Sequence, residues 1–134
     1  MSQENVEVVR RSIDALNHRD LEGFLEIVTP DVEWLPVMGA MDHDASFRGR
    51  AGVEAYFDIL RDVWEDLAFA PGYEVRDLGE KTLMLGRLQL RGRGSGVTID
   101  TPMAALYDHR GGQISRLQAF NDHAEALKAV GLEE

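Results

Sequence analysis

The stretch Lys81–Asn121 reads KTLMLGRLQLRGRGSGVTIDTPMAALYDHRGGQISRLQAFN. Three apolar runs, 81–91, 96–108 and 113–121, are parted by two clusters of turn residues, Arg91-Gly-Arg-Gly-Ser-Gly96 and Asp108-His-Arg-Gly-Gly112. Links this short join neighbouring antiparallel strands. A further run, 73–78, precedes the turn Leu78-Gly79-Glu80. The C-terminal half therefore predicts a four-stranded meander. Side-chain alternation sorts its faces. Ile99, Thr101, Met103, Ala105 and Tyr107 share one face with Leu117, Ala119 and Asn121; small Ala105 and Ala119 leave room at its centre. The opposite face carries Thr98, Asp100, Pro102, Ala104 and Leu106 beside Arg116, Gln118 and Phe120, a half-apolar surface that suggests a homodimer through sheet packing.

Upstream of Pro71-Gly72 the period changes. Val53, Tyr56, Phe57, Leu60, Val63, Trp64 and Leu67 keep a 3/4 spacing that predicts a long amphipathic helix. Before it, residues 37–49 follow neither period and predict a loop at the pocket lip, and Asp31–Leu35 predicts a short strand. Val6, Val9, Ile13 and Leu16 mark a first helix; Asp20 caps a second one bearing Leu21, Phe24, Leu25 and Val28, which Thr29-Pro30 ends. A last short helix, 124–130, stops at Gly131. Helices gathered before an antiparallel sheet define an α+β class, with 1–134 read as one domain. A twisted sheet curls around such helices and leaves a cone whose mouth holds a small molecule.

Composition narrows the function. The 134 residues carry a formal charge of −10, which argues against a nucleic-acid partner and against attachment to anionic membrane lipid. The acidic excess sits in residues 1–67, whereas 81–120 are locally basic; this reads as solvated faces, or as a field favouring anionic ligands. Without cysteine there is no thiol catalysis, disulfide or thiolate metal site. No secretory signal and no span of membrane length is visible, so a cytoplasmic protein is expected.

The order of elements and several local strings resemble the nuclear-transport-factor-2-like (NTF2-like), ketosteroid-isomerase-like superfamily, most closely its SnoaL-like, polyketide cyclase-like branch. The strings are Asp31-Val-Glu-Trp34, Phe47-Arg-Gly49 leading to Tyr56-Phe57, Gly86-Arg87, Arg91–Gly96 ending in Asp100, and Tyr107–Arg116. The resemblance implies a dimeric cone with an apolar pocket for a hydrophobic, ring-containing small molecule and no cofactor. Its reaction would be acid/base isomerisation, cyclisation or dehydration. The isomerase groups do not carry over: the base, tyrosine and protonated-acid positions fall on Leu35, Ser12 or Ile13, and Met103. Glu33, two residues from Leu35 on the same strand face, is the nearest base. The cyclase aspartate falls on Asn121, so Asp122 and His123 become the acid/base candidates, unless Asp122 caps the last helix.

An epoxide-hydrolase arrangement would rest on Arg87 and Asp100 with Asp108, a pair that also suits a surface salt bridge. Asp42-His43-Asp44 are ligand-type residues, but neighbours in a loop preset no coordination geometry, so no metal site is expected. The glycine-rich 92–96 segment reads as a hairpin turn, because no helix follows to offer its N-terminus to a phosphate. Trp34, Tyr56, Trp64, Met84, Met103, Tyr107 and Asn121 are the candidate ligand contacts. The competing class is a non-catalytic small-molecule binder or an accessory dimerisation module. An enzyme predicts an ionisable group among Glu33, Asp100, Asp122 or His123 facing the cavity; a binder predicts Asn, Tyr and Ser groups alone; a dimerisation module predicts a pocket plugged by Trp34 and Trp64.

Overall fold

A computed structural model describes residues 2–36 and 47–132. Helix α1 (Ser2–Asn17) buries Val9, Ile13 and Leu16 along the expected stripe. Helix α2 (Leu21–Glu26) starts at Asp20, whose carboxylate accepts the Gly23 N–H at 3.0 Å. The turn between them forces Arg19 to φ 55°, the left-handed region that side chains rarely adopt.

Strand β1 (Val28–Leu35) begins three residues earlier than the sequence predicts and runs through Pro30. Its pairing with the C-terminal strand shifts register between Val28 and Glu33, and a proline, which cannot donate to a ladder, is tolerated at such an irregularity. Phe47–Arg48 (β2) pairs with β1, and Gly49–Val63 is helix α3. The loop expected over 37–49 is thus structured from Phe47 onward. The Asp42-His43-Asp44 lip lies outside the described residues.

The long helix ends earlier than its spacing suggests. Trp64 leaves the α region and Trp64–Phe69 forms strand β3, antiparallel to the end of β5. Hydrophobic spacing alone could not decide this, because Leu67 and Phe69 serve equally as the buried positions of a strand. Strands β4 (Glu74–Asp77), β5 (Lys81–Gly92), β6 (Thr98–Arg110) and β7 (Gln113–Phe120) follow. The β6–β7 turn shrinks to Gly111-Gly112, both at positive φ, as a tight hairpin turn of mirror-image type requires.

The described strands form one sheet in the order β2-β1-β7-β6-β5-β3, with β4 pairing the other end of β5. It is antiparallel apart from β1 beside β7. The result is an α+β fold, a curled half-barrel sheet closed on its concave side by the N-terminal helices. Gly86 sits where β5 passes from β4 to β3; a Cβ there would lie 2.9 Å from the Tyr73 Cβ.

Two apolar clusters divide at the sheet. The large one fills the concave side between α1, α2, α3 and the strands. The smaller one, Leu83, Leu85, Ala104, Leu106 and Ala126, lies on the convex side under helix α4 (His123–Ala129). Part of the half-apolar outer face is therefore covered by the chain's own last helix.

Candidate functional site

A cavity of about 170 Å³ remains between the concave face and the helices. Trp34 from β1, Tyr56 from α3, Trp64 from β3, Met103 and Tyr107 from β6 and Asn121 after β7 all line it. Ala105 and Ala119, which face each other across β6 and β7, open its centre. Neither tryptophan plugs it: Trp34 stacks back on Phe24 with ring centroids 5.0 Å apart and meets Tyr56 edge-on at 4.6 Å.

Met84 is the exception among the candidate contacts. It faces the same side, opposite Ala105, but is fully buried in the core and does not line the cavity. Leu67 and Phe69 were missed as wall residues because β3 reads as helix. Leu88 and Leu90 were legible: they alternate with exposed Arg87 and Gln89.

The three acid/base candidates lie elsewhere. Glu33 alternates with Trp34 and so points to the convex side, where it accepts from Arg48 at 3.0 Å and Arg116 at 3.2 Å. Those arginines are its direct neighbours in β2 and β7, so strand register assembles the triad. Asp122 is the N-cap of α4, accepting the Glu125 N–H at 2.7 Å. His123 Nε2 lies 2.9 Å from the Gly86 carbonyl oxygen, to which it donates. That bond ties α4 to the middle of β5. Arg87 and Asp100 meet at 2.8 Å in an exposed pair, and Asp108 is occupied by Lys81 at 2.7 Å. None of these groups lines the cavity.

What polarity the cavity has comes from neutral groups. Ser12 donates to the Val9 carbonyl at 2.6 Å and stands 3.4 Å from the Tyr107 hydroxyl. Burial pushes the Tyr107 phenol up to about 12 and raises the Tyr56 phenol as well. Both stay protonated near neutrality, suited to donating hydrogen bonds and unsuited to acting as bases. The Trp64 indole Nε1 is buried without a partner among the described residues. Among those residues, too, no group of three or more acidic or histidine side chains is placed to hold a metal.

The arrangement defines a class: an α+β cone with an apolar cavity on its concave side. The chain belongs to the SnoaL-like domain family, whose model matches residues 9–117. No curated protein matches it. Among solved structures it is similar to an NTF2-like protein of unknown function from Burkholderia pseudomallei (24% identity, 93% of this chain and 95% of that one, TM-score 0.79). TerC, co-crystallised with polyporic acid, is 24% identical over 96% of this chain and 98% of its own (TM-score 0.77). A protein of ketosteroid isomerase-like fold from Catenulispora acidiphila, in complex with trimethylamine, is 18% identical over 94% and 93% (TM-score 0.74). At these identities the likeness carries the fold. Among the described residues no helix is long and apolar enough to cross a membrane.

Proposed function

We propose that this chain binds a small molecule by a compact, uncharged ring held in the concave cavity, as a homodimer and without a cofactor. One observation carries the reading: no charged side chain occurs among the described residues that line the cavity. An ion placed there would lose its hydration without a partner. Size supports a small guest, since a dry apolar cavity of roughly 150 Å³ accepts benzene in another protein. Asn121, Tyr56, Tyr107 and Thr101 are the polar groups that would orient it. Proteins of the same fold captured with small molecules support small-molecule binding. For the dimer, the convex surface left uncovered by α4, with Pro102, Gln118 and the Arg87–Asp100 pair, is the proposed contact.

The family match favours a second reading, acid/base isomerisation, cyclisation or dehydration. In it the phenols of Tyr56 and Tyr107 and the Asn121 amide would polarise a carbonyl, because Glu33, Asp122 and His123 are engaged elsewhere.

The test is titration with toluene, benzoate and acetophenone, read by fluorescence of the two wall tryptophans. Toluene and acetophenone should bind, acetophenone more tightly through the polar groups of the wall, and benzoate should not. Asn121→Leu should remove the preference for acetophenone over toluene while stability stays within about 1 kcal/mol. Equal binding of benzoate and toluene would contradict the proposal.

A further inference from the structure

A second hollow, about 150 Å³, opens on the helical side between the end of α1, the start of α2 and the C-terminal half of α3. Leu16, Leu60 and Leu67 wall both this hollow and the main cavity. The two hollows thus share a partition to which these three leucines contribute. Rotation of these leucine side chains would open a passage that admits a flexible chain and not a ring.

The rim of the second hollow is chemically unlike the cavity behind it. Arg19, Asp58 and Arg61 line it. Arg19 is half-buried, and among the described residues it is the non-glycine held at positive φ. Strain of this kind persists where the surroundings, or a function, impose it. The Arg19 guanidinium donates to the carbonyls of Trp64 (3.1 Å) and Glu65 (3.3 Å) and pairs with no carboxylate among the described residues. It is thereby fastened to the start of β3, whose Trp64 ring stands in the main cavity wall. Arg61 is engaged by Asp58 at 3.2 Å and Asp62 at 3.4 Å, but both pairs are largely exposed, and such surface pairs exchange partners at little cost.

We infer that the second hollow is a subsite for the anionic tail, most simply a carboxylate, of a molecule whose ring lies in the main cavity. The inference rests on the ring-binding role proposed above. Its ligand is an aryl or cycloalkyl ring joined by a flexible chain of several methylenes to a carboxylate. The chain passes the three leucines, and the carboxylate reaches Arg19 and Arg61. An anion directly on the ring, as in benzoate, is excluded because it would stop on the apolar side of the partition.

The test uses toluene and a series of ω-phenylalkanoates of two to eight methylenes, each beside its methyl ester, titrated against the full chain by tryptophan fluorescence and calorimetry. Toluene reports the main cavity alone. Above some chain length the acids should bind about tenfold more tightly than their esters. Arg61→Gln should shrink that difference while toluene affinity is unchanged, which also shows that the variant is folded; Arg19→Gln should shrink the acid–ester difference as well, whatever its effect on toluene. Equal affinity of acid and ester at every length, with toluene still binding, overturns the subsite and leaves the ring site standing. An acid preference undiminished in both variants also overturns it. If neither toluene nor any acid binds, the ring-binding reading fails as well.

Discussion

Ala119 and Ala105 face each other at the centre of the concave sheet, and both line the cavity. Ala119→Ile adds three carbon atoms to a β-branched side chain that suits a strand. If the roughly 170 Å³ beyond Ala119 is empty in the free protein, those atoms enter space already walled by apolar groups. At about 0.8 kcal/mol per buried methylene the gain is roughly 2.4 kcal/mol. Immobilising the longer side chain costs about 0.5–1 kcal/mol, which leaves the variant more stable by about 1.5 kcal/mol. In a chain of this size that raises the melting temperature by about 5 °C. The same atoms occupy the ligand's place, so toluene affinity should fall at least tenfold. Urea denaturation and the tryptophan titration measure both effects on one preparation. Stabilisation with loss of binding is the joint signature of a hollow that serves as a site. Destabilisation by 1 kcal/mol or more, the usual result of overpacking, would mean the space is already filled and would refute the reasoning.

Two further perturbations separate structural roles from catalytic ones. Asp122→Ala should cost about 1 kcal/mol through loss of the α4 cap and leave toluene and acetophenone affinities unchanged; a change in affinity without a change in stability would return Asp122 to the site. His109 stacks beside Tyr107, takes part in a 2.8 Å hydrogen bond with buried Thr82, and has its pKa lowered from 6.5 mainly by burial, against the pull of Asp108 and Asp77. A depressed histidine contributes stability that is fully present above pH 6.5. As the pH falls below 6.5 toward the folded-state value, the unfolded chain takes up a proton that the folded chain resists, and stability drops. Urea midpoints at pH 7.5 and 5.5 should therefore differ more for the natural chain than for His109→Gln. Identical pH dependence of the two would remove His109 from the account.

How legible the site was depends on the element. On β6 and β7 two-residue alternation assigns every side chain to a face, so Met103, Tyr107 and Asn121 could be placed before any coordinates. On β5 the same rule places Met84 on the concave side but says nothing of depth, and Met84 lies in the core away from the cavity. At the end of α3 the rule was ambiguous: Trp64 and Leu67 satisfy a helical stripe and a strand equally, and pairing with Arg91, Leu90 and their neighbours on β5 decides for the strand. Glu33, Asp122 and His123 have the right chemistry for acid/base work, but their partners come from Arg48 and Arg116, from the Glu125 amide, and from Gly86. A candidate base is defined by what it faces, and for Glu33 and His123 that depends on strands distant in the chain.

The linear order of residues determined the class of this protein. Periodicity, turn glycines and the helix-breaking prolines are local signals, readable because backbone geometry imposes them within a few residues. They were enough for helices before a meander, for the curl of the sheet, and for the small residues at its centre. Tertiary structure alone decided which polar groups enter the hollow, how α4 covers part of the convex face, and that three leucines from α1, α3 and β3 contribute to the partition between two hollows. Those outcomes depend on registers and distances between segments far apart in sequence, where a displacement of one residue reverses the face a side chain occupies.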